Sequence, residues 1–256
     1  MLKKWLEHPY TRGLPLDSPA TTIARRRIIR EKAFLKKIYT EWYMLIVEAL
    51  PTTGKPVLEL GSGAGFLHEF VPGLLTSEIT LIPRISLALD ATDLPFKADS
   101  LGSVVMVDVL HHIPQPRSFF AEASRCLVPG GKIVMVEPWV TPWSRVVYTR
   151  FHHEPFDPEA EDWEFPPGRP LSAANGALPW IVFQRDRSIF TREFPELEIE
   201  HIKPVMPLSY LLSGGASMRS FMAGALYGPW RAVDRLMESI CSESAMFGVI
   251  VLAKKR

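Results

Sequence analysis

The chain has 256 residues, 47% apolar and 22% charged, with a formal net charge of +1. That length holds one large domain with a full core, the composition is that of an ordinary globular protein, and the charge balance gives no global argument for nucleic acid or membrane binding. The N-terminus lacks an apolar signal region, no apolar run reaches the roughly 18 residues of a spanning helix, and two isolated cysteines, Cys126 and Cys241, suit a reducing compartment, so the expected location is the cytoplasm.

Residues 1–22 read as an irregular lead-in punctuated by Pro9, Gly13, Pro15 and Pro19. From Ile23 to Leu50, apolar residues recur at helical spacing (Ile28, Ile29, Phe34, Leu35, Ile38, Trp42, Leu45 and Ile46), which predicts one long helix stopped by Pro51. "PVLEL" is a short buried strand. It runs into "GSGAG" and then the helix-patterned "FLHEFV". "LLTSE", "SLALD" at 86–90 and "LGSVVMVDVL" at 101–110 are further strands. "QPRSFFAEASRCLV" is an amphipathic helix ended by the Pro-Gly-Gly at 129–131, and "KIVMVEP" is another buried strand. Near-continuous apolar strands alternating with helices imply a parallel sheet covered on both faces.

The texture then changes. Residues 139–180 hold Trp139, Trp143, Trp163 and Trp180, several prolines and the acidic "DPEAEDWEF", and read as a long loop. "ELEIEHIKP" at 196–204 alternates like a strand. Residues 205–242 read as helical with breaks at Gly214–Gly215 and Gly228–Pro229, and "AMFGVIVLAKK" is a last buried strand.

Chemistry enters at Gly61, Gly63 and Gly65, preceded by Glu59 at the strand end. A glycine turn there lets the backbone approach a ligand, because no Cβ intrudes. The dinucleotide fingerprint G-x-G-x-x-G puts its third glycine one residue later, where this chain has Phe66. A turn without function is the alternative for this motif alone. Further on come Asp90-Ala91 with Leu94-Pro95-Phe96, a strand ending near Leu110-His111-His112, and a helix leading to Pro129-Gly130-Gly131. Over about residues 55–138, and more loosely in the last two strands, this set resembles the class I S-adenosylmethionine-dependent methyltransferases, in their small-molecule, type 11-like branch.

The resemblance implies an α/β fold, a doubly wound, seven-stranded, mostly parallel sheet of Rossmann-like type, and S-adenosylmethionine as cofactor. It implies that the turn Leu60, Gly61, Ser62, Gly63 and Gly65 passes close to the methionine part and that Glu59 orients the ammonium group. Asp90 would accept from the adenine amine beside the Ala91 amide, and Asp108 and Val109 would flank the methionine moiety. A carboxylate next to a backbone amide answers both edges of an adenine. An Asx turn is the alternative for Asp90.

The family's ribose acid is less obvious, since "TLIPRIS" holds none. Counting back from Asp90 leaves room for a short loop and one strand, not a helix. The helix between strands two and three is therefore expected to be missing, with Glu78 ending strand two and the apolar "ITLIPRI" covering that face. Glu78 follows Gly61 by seventeen residues, near the about twenty of a ribose acid. A surface role is its alternative.

The expected layout is a helical lead-in or cap at 1–50, a cofactor-binding core at 51–138, a pocket-covering insertion at 139–195, and the last two strands at 196–256 with a helical insertion at 205–242. All form one domain. Methyl transfer is an in-line displacement that needs alignment, and a base only if the acceptor carries a proton. His111, His112 and Glu137 are the candidate catalytic residues; packing is the alternative for the histidines. His152, His153, Glu154 and Asp157 lie in "FHHEPFD", which reads as a pocket-lining loop, and no metal is expected. The basic "RRRIIREKAFLKK" at 25–37 reads as a solvated helix face, with peripheral contact to a membrane or acidic partner as its alternative.

These readings predict a methyltransferase acting on a small apolar or amphipathic acceptor, quinone-, lipid- or glycoconjugate-like, with no nucleic acid partner and no membrane insertion. The oligomeric state is open. The alternatives are an inactive methyltransferase-like binding module and an NAD-dependent oxidoreductase, the latter disfavoured by Phe66 and the Asp90-Ala91 pair.

Overall fold

The computed structural model describes residues 6–152, 154–166 and 173–256. Seven strands form one sheet: β1 (Val57–Leu60), β2 (Leu75–Glu78), β3 (Leu87–Ala88), β4 (Leu101–Val107), β5 (Leu127–Pro138), β6 (Leu197–Val205) and β7 (Phe247–Lys254). Their order is β3-β2-β1-β4-β5-β7-β6. All neighbours are parallel except β7, which runs antiparallel to β5 and β6. The chain direction therefore places the C-terminal ends of β1, β2 and β4 side by side, where open α/β sheets bind ligands.

The strands are apolar on both faces because both are covered. Val104 and Met106 of β4, Ile133 and Met135 of β5, and Ile250 and Leu252 of β7 pack to one side. Val105, Val134, Val136, Val249 and Val251 pack to the other. The first side is closed by helix α3 (Pro116–Cys126) through Phe119, Phe120 and Ala123, and by the helical stretch 178–193 through Phe183 and Phe190. The second side is closed by two N-terminal helices, α1 (Pro19–Glu31) and α2 (Ala33–Ala49).

The single helix expected from Ile23 to Leu50 is thus two. It breaks at Lys32, whose backbone is extended. The Lys32 ammonium donates to the carbonyls of Gly215 at 2.6 Å and Met218 at 2.9 Å, so a distant loop fixes the break. The helix expected from "FLHEFV" is absent as well. Two 3-10 turns, Ser62–Ala64 and Leu67–Glu69, stand there. Tyr43 Oη accepts from Phe66 N at 3.1 Å, and Pro72 disfavours helical geometry just before itself. α2 fills the place of the missing helix, seating Tyr39 and Tyr43 against the Phe66 ring.

No helix stands between β2 and β3, as the residue count requires. The loop there covers the face less than expected. Ile82 is buried, but Ile79 and Leu81 are exposed, Leu81 at 77%.

The segment expected as a long loop after Pro138 contains α4 (Pro142–Phe151), which starts in a capping box between Thr141 and Ser144. It also contains the stretch Leu178–Trp180, the π-turn Ile181–Arg185 and α5 (Arg187–Glu193). Helix α3 ends at Cys126, so Pro129-Gly130-Gly131 lies in β5 rather than at the helix end. In the last insertion, α6 (Ser209–Ser213) ends at Gly214, which is left-handed. α7 (Tyr227–Ile240) runs through Gly228–Pro229 without a break, since proline is tolerated in a first helical turn. No helix of the described residues is long and apolar enough to cross a membrane.

Candidate functional site

A cavity of about 490 Å³ opens over the C-terminal ends of β1, β2 and β4, within the ~300–1,000 Å³ range of small-molecule sites. Its floor is the turn after β1. Gly61 is left-handed, and a Cβ there would meet Val109 Cγ2 at 2.3 Å. A Cβ on Gly63 would meet Glu78 Oε1 at 2.2 Å and Thr22 Cγ2 at 2.5 Å. The glycines thus let the loop press between α1, Glu78 and the loop after β4. Arg26 clamps it from above, with Nε donating to Gly63 O at 2.7 Å and Nη1 to Pro83 O at 2.8 Å.

Glu78 ends β2 and lines the cavity. Oε1 accepts from Gly63 N at 2.9 Å and Oε2 from Ile79 N at 3.3 Å. Burial raises its pKa against the pull of those amides. Leu60, Gly61, Asp90, Ala91, Asp108 and Val109 also line the cavity. Glu59, Ser62, Gly63 and Gly65 do not; they form the layer behind it. The Glu59 carbonyl accepts from Ser62 Oγ at 3.2 Å and Ser77 Oγ at 2.7 Å, and burial pushes its carboxyl up to about 7. Asp90 Oδ1 does form the Asx turn weighed against its adenine role, accepting from Thr92 N at 2.8 Å and Thr92 Oγ1 at 2.7 Å.

Asp108 is left-handed, a conformation uncommon outside glycine and concentrated at functional sites. Burial raises its carboxyl to about 7, with the His111 charge pulling the other way. His111 is fully buried and does not line the cavity. Its Nδ1 is 2.8 Å from Glu137 Oε2. Glu137 is equally buried, and its Oε1 accepts from Val109 N at 2.8 Å and Leu110 N at 2.7 Å. Those contacts use both oxygens of Glu137, so this candidate base instead orients His111 and the loop. Burial disfavours the charge on His111, but Glu137 and Glu154 outweigh it and hold its pKa well above the ordinary value. His112 lines the cavity, and burial and the neighbouring His111 lower it to about 3.

Glu154 and His152, from the segment expected to line the pocket, stand at this end of the cavity. Glu154 Oε2 is 3.5 Å from His111 Nε2 and 3.6 Å from His152 Nδ1, and Oε1 is 3.9 Å from His112 Nε2. Burial works against the Glu154 charge, yet the three histidines hold its carboxyl below the usual carboxylate range. His153 lies outside the described residues, and Asp157 caps a nearby turn instead, exchanging hydrogen bonds with Asn175. The four tryptophans of 139–180 do not line the cavity. Trp163, for instance, is buried under Arg117 and donates to Asp186 at 2.9 Å.

The basic stretch is mostly engaged within the chain. Arg27 pairs with Glu31 and Arg30 with Glu69, and Lys37 donates to Gly224 O. Arg25 lines the cavity with a buried Nε that has no hydrogen-bond partner. The solvated face expected for 25–37 does not hold at Arg25, which precedes buried Ile28 and Ile29 by a helical turn and so shares their face. Tyr39 of α2 and Tyr210 of α6 complete the wall; nothing in the local pattern separates them from ordinary core aromatics.

Residues 58–135 match the methyltransferase domain family. A demethylmenaquinone methyltransferase of Renibacterium salmoninarum is 32% identical over 128 residues, covering 43% of this chain and 54% of the relative. One from Tropheryma whipplei is 30% identical over 102 residues, covering 34% and 43%. The chain thus spans about half the length of the curated relatives it matches. Among solved structures, a Thermotoga maritima S-adenosylmethionine-dependent methyltransferase superposes with a TM-score of 0.54 at 14% identity, covering 92% of this chain and all of that one. A geranyl diphosphate methyltransferase, solved with S-adenosylmethionine, gives 0.50 at 14% identity, covering 91% and 90%. At such identities the likeness concerns the fold.

Proposed function

We propose, from the chain's place in the class I S-adenosylmethionine-dependent methyltransferase family, that it methylates a small apolar or amphipathic acceptor of the quinone, lipid or glycoconjugate kind. One observation carries this reading. A single cavity joins a half lined by Gly61, Glu78 and Asp90 to an end lined by imidazole and carboxylate groups.

The residues present fit the cofactor. Arg25 offers a buried, unpartnered Nε to a carboxylate. Glu78 lines the cavity at the end of β2, and its carboxylate would accept from both ribose hydroxyls. The Asx turn occupies Asp90 Oδ1 and leaves Oδ2 for the adenine amine. Glu59 stands behind the turn as a positioning residue. When bound, the cofactor supplies an electrophilic methyl whose bond to sulfur breaks, leaving its electron pair on sulfur, as the acceptor bond forms. The chain's part is to hold both partners in line and keep water out. Leu60, Leu89, Ile113 and Tyr210 give the walls an apolar character that suits such an acceptor. The names of the relatives, demethylmenaquinone methyltransferases, favour a quinone-type ring within that class.

The test is transfer of a labelled methyl from S-adenosylmethionine to a panel of a demethylated naphthoquinol, a phospholipid and a glycolipid. The expected result is one labelled product formed with S-adenosylhomocysteine. Binding of the cofactor without a product from any acceptor would favour the inactive binding module. Binding of NAD in its place would overturn the reading.

A further inference from the structure

Two imidazoles and a carboxylate meet at the acceptor end of the cavity, His112 and Glu154 in its wall and buried His111 directly behind them, brought together by the turn after β4 and the segment after α4. His112 Nδ1 lies 3.2 Å from the Ala173 carbonyl, which can only accept. His111 Nδ1 lies 2.8 Å from Glu137 Oε2, a carboxylate already accepting two backbone N–H groups through its other oxygen. Each ring therefore donates through Nδ1 and turns Nε2 inward. His111 Nε2 is fully buried and makes no well-formed hydrogen bond, facing the Glu154 carboxylate across 3.5 Å, a gap that a proton or a metal ion can bridge. Both Nε2 atoms face Glu154, at 3.5 Å and 3.9 Å, and Asp108 Oδ1 stands 4.0 Å from His111 Nε2.

The ligand-type atoms of His111, His112 and Glu154 all lie within 4.8 Å of one another. Two ligands at about 2.1 Å from one tetrahedral ion stand about 3.4 Å apart, so small side-chain shifts close the set. A carboxylate behind a ligand histidine, here Glu137, is the usual outer support of such sites. We propose that His111 Nε2, His112 Nε2 and the Glu154 carboxylate hold a divalent transition-metal ion at the acceptor end of the cavity. Two imidazoles and one carboxylate suit zinc, iron, cobalt or manganese better than magnesium or calcium, and leave coordination positions open. This revises the expectation of no metal. It was unreadable from spacing, because the ligands come from two segments about forty residues apart that only the fold brings together.

The role of the ion rests on the methyltransferase reading. It would lower the pKa of an acceptor hydroxyl, whose O–H bond breaks with the proton passing to solvent. The new oxygen–methyl bond then forms as the sulfur–methyl bond breaks, with its electron pair kept by sulfur, and nothing is oxidised or reduced. The favoured acceptor is accordingly a hydroxyl on a ring or beside a second oxygen.

The experiment uses the full chain stripped with a chelator, then titrated with zinc, cobalt or manganese chloride by calorimetry and metal analysis. One ion per chain is expected, with cobalt giving visible absorption of a four- or five-coordinate site. His112→Ala and Glu154→Gln should each weaken binding at least tenfold, and Glu137→Gln about 10- to 100-fold. Near-unchanged circular dichroism would show that each variant is folded. Failure of the stripped chain to bind any of the three ions, or equal binding by folded Glu154→Gln, would overturn the site. In that case a proton on His111 satisfies the carboxylates. S-adenosylmethionine binding, measured in parallel, separates this failure from failure of the methyltransferase reading.

Discussion

At the scale of single residues, the proposed nucleoside site turns on Glu78. Its carboxylate sits between the Gly63 amide and the cavity, and hydrogen bonds to a charged group contribute about 1.5–3 kcal/mol each. Glu78→Ala should therefore weaken S-adenosylmethionine binding by on the order of 100-fold in calorimetry. Gly63→Ala should act in the same direction, because its new Cβ would sit on Glu78 Oε1. The pH dependence follows from burial. The free protein's Glu78 titrates above its ordinary 4.5, and binding requires the ionised form. Affinity should hold at high pH and fall as pH drops through that raised pKa, so the loss begins above 4.5. In Glu78→Gln the inflection should vanish. Its place at the end of β2 was legible in advance because spacing from Gly61 and Asp90 constrains it. Glu154 was legible as part of a pocket-lining loop, whereas Arg25 was not, since nothing local marks a helix arginine as cavity-facing.

At the scale of elements, α7 is inverted. Arg231, Asp234 and Glu238 face inward, with Arg231 Nε on Glu41 at 2.7 Å and Nη1 on Glu238 at 2.8 Å. Asp234 is fully buried and accepts from Leu208 N at 2.8 Å. Val233, Leu236 and Ile240 point outward, Ile240 at 76% exposure. Asp234→Ala strips a buried pair and leaves amides unpaired, so thermal or denaturant unfolding should show a loss of about 3 kcal/mol. Leu236→Gln, on the outer stripe, should stay within about 0.5 kcal/mol. Equal effects would contradict the inward placement of Asp234. The pattern also explains why elements were only partly legible. Strands with strong apolar runs were readable, as was the helix lost between β2 and β3. The break at Lys32 and the missing helix after Gly65 depend on Gly215, Met218 and Tyr43, partners that only tertiary structure supplies.

At the scale of the whole molecule, the N-terminal helices belong to the site rather than preceding it. α1 supplies Thr22 and Arg25 to the cavity and α2 supplies Tyr39, while both close one face of the sheet. Removing residues 1–49 should expose that face and abolish cofactor binding together with cooperative unfolding. Sequence reading separated these helices as a cap because periodicity reports which face is apolar, not what it covers. The proposed methyltransferase activity requires that this assembly bind S-adenosylmethionine through Glu78. Calorimetric titration of the full chain and of Glu78→Ala tests that most directly. One cofactor per wild-type chain and an affinity loss on the order of 100-fold in the folded variant are expected. Absence of binding by the wild type, or equal affinity in the two, would contradict that requirement.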